Sequence, residues 1–174
     1  MDAYQAMVFA REAHKDQRRK YTNNPYTDHL AEVAGIVATV AKEVSRNQWC
    51  DPQCMIAVAW LHDCMEDQGV KKRDLEDKFD LVVAHGVFLL SDLDTGNRAD
   101  RKVASRTRLA GVDGWVQTIK VADLISNTAS IVQHDPKFAA VYLEEKRLLL
   151  DVLTKAEPRL MSIARQQLRA AAVG

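Results

Sequence analysis

Cysteine is scarce in this chain: three residues in 174 are too few for the disulfide framework of a secreted domain. Cys50 and Cys54 have no second pair to complete a zinc knot, so these two and Cys64 read as reduced thiols. Blocks of one charge are also missing. The 24 Lys and Arg balance 24 Asp and Glu, and no like-charge run is longer than Lys71-Lys72-Arg73. That balance argues against nucleic-acid and membrane-surface binding. Long apolar runs are absent too: the longest, Met55 to Leu61, falls far short of the ~20 residues of a membrane span. The N-terminus opens with Asp2 and has no basic region followed by an apolar core. The expectation is a soluble, cytoplasmic protein. With only four prolines, no internal repeat and no segment of sustained apolar/polar alternation, the fold class expected is all-α, a compact multi-helix bundle.

What is present is helical periodicity. A chain of this length suits one domain over residues 1–174, able to bury roughly two-thirds of its unfolded surface, so a metal would serve function rather than folding. Asp2 caps a first amphipathic helix running to about Gln17, after which Arg18-Arg19-Lys20 leads into a break at Asn23-Asn24-Pro25. A second helix is predicted from Asp28 to Asn47, with His29 in phase with its apolar stripe. Asp51-Pro52 starts a third, Gln53 to Asp67, stopped by Gly69. Lys71 to Phe79 and Leu81 to Leu90 follow, the second nearly all apolar and so expected to be buried, with His85 structural. After a turn-rich stretch come Arg98 to Ala110, Trp115 to His134, Lys137 to Ala156, and a last helix from Pro158.

The stretch Trp60-Leu61-His62-Asp63-Cys64-Met65-Glu66-Asp67 stands out, because it sets a His-Asp and a Glu-Asp doublet behind the apolar run. On a continuous helix His62 and Glu66 share a face, as do Asp63 and Asp67. Such a cluster is costly to bury without a purpose, and carboxylates at a helix C-terminus are if anything unfavourable. Asp123, amid Val121, Ala122, Leu124 and Ile125, needs a basic side chain or a cation as partner. Arg98, Arg101, Lys102, Arg106 and Arg108 read equally as a solvated face or as a basic helix suited to a phosphate-rich ligand.

Together His29, His62, Asp63 and Asp123 form a mixed nitrogen and oxygen set suited to a six-coordinate Mn²⁺, Fe²⁺ or similar ion with open positions. An ion of that kind acidifies water and polarises a phosphoryl group, as phosphoester or phosphoanhydride hydrolysis requires. In this order of ligands the chain resembles the HD superfamily of metal-dependent phosphohydrolases. More narrowly, Ala13 to Lys20, Pro25 to His29, Leu61 to Asp67 and Ile119 to Asn127 resemble the hydrolase domain of the RelA/SpoT family. In length the chain is similar to the small alarmone hydrolases.

That resemblance implies an all-helical, usually Mn²⁺-dependent enzyme that removes the 3′-pyrophosphate of (p)ppGpp to leave GDP or GTP. It implies that His29, His62, Asp63 and Asp123 hold the metal and that Glu66 and Asp67 form the acid-base pair. By the same match Arg19 packs on the nucleobase, Lys20 holds phosphate and Asn127 contacts the sugar. Apart from the match, the basic cluster Arg98, Arg101 and Lys102 is a weaker candidate for distal phosphates. Leu30, Cys64-Met65 and Leu124 depart from the family pattern; they spare every expected ligand and reshape the pocket. The alternatives are another nucleotide, such as (p)ppApp, NADPH or a nucleoside triphosphate, and a non-catalytic alarmone sensor. In 174 residues no synthetase or regulatory domain is expected, and the partner expected is a small-molecule nucleotide.

Overall fold

Helix starts in this chain are set by side chains that satisfy otherwise orphaned backbone N–H groups, each worth about 1 kcal/mol. In the computed structural model, which describes residues 2–173, Asp2 accepts from the Tyr4 N–H, Asp51 from Cys54, Asp80 from Val83, Asn97 from Asp100 and Asp135 from Phe138. Pro52 and Pro136 each open a helix where their missing N–H costs nothing. No strand is present among the described residues, so the fold is all-α. None of the described helices is long and apolar enough to cross a membrane.

The chain divides into two compact units, Met1–Leu93 and Asp94–Gly174. The first contains α1 (Ala3–Ala13), α2 (Thr27–Ala38), α3 (Ala41–Val44), α4 (Pro52–Leu61), α5 (Cys64–Gln68), α6 (Lys72–Lys78) and α7 (Leu81–Leu90). Helix α4 is apolar all round, with Met55, Ala57, Val58, Ala59 and Leu61 fully buried, so it lies at the centre with α1, α2 and α7 against it. Ala6 and Ala10 of α1 are also fully buried, and their small side chains let that helix approach closely.

The second unit contains α8 (Arg98–Gly111), α9 (Gly114–His134), α10 (Pro136–Val152) and α11 (Pro158–Val173); α10 and α11 pack against α9, and α8 against α10. A Cβ on Gly114 would lie 2.5 Å from the Lys155 carbonyl oxygen, so only glycine lets the start of α9 meet that turn. Buried Gln117 ties the same region together, donating to the Leu109 carbonyl and accepting from the Lys155 N–H.

Three sequence expectations need correction. The helix predicted from Asp28 to Asn47 breaks at Thr39-Val40. There the Thr39 and Val40 N–H groups bond three residues back, and the Thr39 hydroxyl competes for the Ile36 carbonyl at 2.7 Å. The helix predicted from Gln53 to Asp67 ends at Leu61 and resumes at Cys64, so His62 and Asp63 sit in the turn between α4 and α5. Helix α7 is not wholly buried: Leu81 is 70% exposed, Phe88 is 40% exposed, and His85 faces solvent on the same side.

Lys146 is fully buried in the second unit, its ammonium 2.7 Å from Thr128 Oγ1 and 2.7 Å from Gln167 Oε1, with no carboxylate among these partners. Burial brings its pKa down from 10.5 to about 8. The unfolded chain therefore binds this proton more tightly than the fold does. The penalty for the buried charge is fully present below pH 8 and is relieved as pH rises toward 10.5. In urea unfolding, the native protein is expected to gain on Lys146→Met by about 2 kcal/mol across that window, and a constant difference would refute the buried charge.

Candidate active site

The turn between α4 and α5 brings two imidazoles to one carboxylate. Asp63 Oδ2 lies 3.0 Å from His62 Nε2 and 3.6 Å from His29 Nε2, and it accepts a 2.7 Å hydrogen bond from the Tyr26 hydroxyl. His29 comes from the first turn of α2 and His62 from the end of α4; both rings are buried, and their centroids are 5.3 Å apart. His62 Nδ1 stands 2.8 Å from the Ala59 carbonyl, which can only accept, so Nδ1 carries a proton and Nε2 is the ring nitrogen that faces Asp63. A ring nitrogen facing a carboxylate oxygen at that distance is held favourably when a proton or a cation lies between them. An imidazole whose Nδ1–H is held by a backbone carbonyl is also the usual arrangement of a metal-ligating histidine. The donor set of His29, His62 and Asp63 therefore fits a divalent transition metal.

Two further acids follow within α5. Glu66 Oε2 accepts from the Asp92 N–H at 2.9 Å, and Asp67 Oδ2 accepts from Gln17 Nε2 at 2.8 Å. The Asp67 N–H bonds the Asp63 carbonyl at 2.9 Å, so the one-turn spacing of these two residues survives the helix break. Cys64, between the doublets, is fully buried, and burial followed by the Asp63 charge pushes its thiol up to about 12. It is a neutral filler at physiological pH, and all three cysteines are free thiols, as the sequence indicates.

In the second unit Asp123 is buried on α9, with Lys120 Nζ 2.8 Å from its Oδ2 and Asn127 Nδ2 donating to its Oδ1 at 2.7 Å. The basic partner that this acid required is thus present one turn away. Arg98 makes a two-pronged bond to Glu145, at 2.7 Å and 2.8 Å, and lies over the Phe138 ring. That pairing turns it toward α10. Arg101 and Lys102 are half-buried on α8.

Arg19 and Lys20 lie in a narrow loop closed by an Arg18–Pro25 bridge, with the Arg19 N–H bonded to the Asn24 carbonyl at 2.9 Å and Asn23 left-handed at φ 58°. Both side chains are expected from the sequence to be largely exposed. Lys20 is exposed, but only 15% of the Arg19 side chain is, because the loop folds it back to within 4.0 Å of Glu32 on α2. Tyr26, His14 and Gln17 also touch the cluster or each other. No spacing rule singles them out. The available signal is that each stands within a segment already marked by the RelA/SpoT resemblance, with Tyr26 three residues before His29.

Comparison with known proteins bears on this geometry. The chain is 35% identical over 133 residues to a guanosine-3′,5′-bis(diphosphate) 3′-pyrophosphohydrolase of Vibrio cholerae, covering 73% of this chain and 17% of that protein. It is 27% identical over 138 residues to a probable enzyme of the same name from Synechocystis, covering 76% of this chain and again 17% of the relative. The chain thus spans about a sixth of the length of these relatives. A solved structure of a metazoan SpoT ortholog, described as hydrolysing ppGpp, matches with a TM-score of 0.83 over 97% of this chain and 94% of that one. At 22% identity that likeness speaks for the fold. The model of one family, described as HD domain, matches residues 6–134, a span that includes His62 and Asp63 at the α4–α5 turn. With most of its length inside that match, the chain belongs to the HD domain family.

Proposed function

We propose that this chain is a metal-dependent (p)ppGpp 3′-pyrophosphohydrolase that releases pyrophosphate to give GDP or GTP. The observation that carries the reading is the convergence of His29 and His62 on Asp63 Oδ2, with Glu66 and Asp67 on the turn that follows. The named activity of the Vibrio relative supplies the substrate class. His29, His62, Asp63 and Asp123 would hold the metal, taken as Mn²⁺, and the setting proposed is cytoplasmic. When bound, such an ion supplies Lewis-acid polarisation of a phosphoryl oxygen and acidifies water.

The chain's own residues do the rest. Glu66 and Asp67 orient the attacking water and move its proton. Arg19 packs on the nucleobase, Lys20 and the weaker candidates Arg101 and Lys102 meet phosphate, and Asn127 contacts the sugar.

Arg19→Ala is expected to raise KM for ppGpp about 10-fold with a smaller change in kcat, as for lost ground-state binding. Because Arg19 is mostly buried, a stability cost of about 1 kcal/mol accompanies it, more than at an ordinary surface site. Steady-state kinetics together with a melting curve check both, and unchanged kinetics with lowered stability would make Arg19 a structural residue.

The test of the function itself is a nucleotide panel of ppGpp, pppGpp, ppApp, GTP and NADPH, each with and without Mn²⁺. Pyrophosphate from the 3′-position of the guanine alarmones is expected. Preference for a 5′-triphosphate would transfer the same site to another nucleotide, and binding without turnover would make the chain a sensor.

A further inference from the structure

Asp63 and Asp67 stand one turn apart, and each accepts a hydrogen bond from a side chain outside α5. Tyr26 donates to Asp63 Oδ2 at 2.7 Å, and Gln17 donates to Asp67 Oδ2 at 2.8 Å. These two donors belong to separate stretches, the turn after α1 and the approach to α2. One residue joins them. The His14 ring stacks on Tyr26, with centroids 5.2 Å apart and planes 16° apart, and its Nδ1 lies 2.6 Å from Gln17 Oε1. The backbone closes the same unit, the Tyr26 N–H bonding the Gln17 carbonyl at 3.0 Å.

Amide chemistry fixes the direction of this chain of contacts. A carboxylate can only accept, so Gln17 must turn Nε2 toward Asp67, which leaves Oε1 to accept from His14 Nδ1–H. Gln68 Nε2 donates to the same Oε1. His14 is 1% exposed, so its ring cannot rotate without losing buried contacts, and half-buried Gln17 cannot turn its amide without giving up the bonds to His14 and Asp67.

We propose that His14 is a positioning residue, setting the Asp67 carboxylate through Gln17 and the Asp63 carboxylate through Tyr26, so that one buried imidazole aligns both acids. This rests on the reading of Asp63 as a metal ligand and Asp67 as an acid-base group. A carboxylate left free to rotate costs a site far more than its stability value suggests, because productive geometry tolerates displacements well under about 1 Å.

The test uses the full chain with Mn²⁺ and ppGpp as probes. His14→Phe keeps the stacked ring and the volume but loses the Nδ1–H, and kcat is expected to fall about 10- to 100-fold with KM little changed. Gln17→Leu should lose a similar factor. The His14→Phe/Gln17→Leu double variant should lose no more than either single one, because the two act in series. His14→Asn restores an N–H near the Nδ1 position and should recover part of kcat. Tyr26→Phe should instead weaken Mn²⁺ binding by about 10-fold or more, measured by calorimetry without nucleotide.

Unchanged kcat in folded His14→Phe, or single losses that multiply in the double variant, would overturn the proposal. If His14→Phe does not fold, Gln17→Leu and His14→Asn carry the same comparison. Should Asp67→Asn itself remain fully active, the acid-base reading fails; should Asp67→Asn be inactive while Gln17→Leu is not, only the positioning role fails.

Discussion

Replacing Glu66 by Gln, or Asp67 by Asn, is expected to lower kcat by roughly 10²-fold or more while the protein stays folded and keeps its metal. Both changes are nearly isosteric and remove only the ability to take or give a proton. After either change the new amide carbonyl can still accept, from the Asp92 N–H in the first case and from Gln17 Nε2 in the second. The contacts now made by the carboxylates, at 2.9 Å and 2.8 Å, therefore survive. The stability cost should stay within about 0.5 kcal/mol, as at ordinary surface positions. Single-turnover kinetics with a parallel Mn²⁺ titration separates chemistry from binding. Full activity in both amide variants would return these acids to a structural role. On a continuous helix the pair would sit at an unfavourable C-terminus, whereas they lie instead in the first turn of the five-residue α5, where a macrodipole penalty no longer applies. Their case as functional groups rests on the chemistry beside them.

The second large effect expected is on the metal. Asp123→Asn removes an anionic donor and should weaken Mn²⁺ binding at least about 100-fold, judged against the 10- to 100-fold typical of losing an outer hydrogen-bond partner. Its two contacts explain why folding should survive. Lys120 and Asn127 are both half-buried on the same helix and can reach water or bond an amide carbonyl, at 2.8 Å and 2.7 Å in the present arrangement. Calorimetry with Mn²⁺ and circular dichroism on the same sample check the two halves of the statement. Unaltered Mn²⁺ affinity would remove Asp123 from the ligand set and leave its carboxylate as the partner of Lys120 and Asn127.

Most helix starts are legible in the sequence because they depend on neighbours: Asp51 with Pro52, Asp135 with Pro136 and Asn97 with Asp100 act within four residues. The breaks at Thr39-Val40 and His62-Asp63 are not, because the apolar periodicity runs on through both. One break is decided by a hydroxyl competing for a carbonyl, and for the other the local pattern supplies no signal. For α7, periodicity could not tell a buried helix from one with an exposed side, since its residues are apolar on both. At the site, the order of His29, His62 and Asp63 marks those residues in the sequence. Their convergence on a single oxygen, with the Tyr26 hydroxyl as a third partner, depends on the path of the loop from Arg18 to Pro25. That path turns on a left-handed Asn23 and also draws Arg19 out of solvent, neither of which a spacing rule contains.

The most direct test of the account is the product formed from ppGpp by chelator-treated protein before and after Mn²⁺ is restored, followed by ³¹P NMR. No turnover is expected without the ion and, with it, stoichiometric GDP and pyrophosphate. Orthophosphate as the released group, or equal turnover in the presence of chelator, would contradict it.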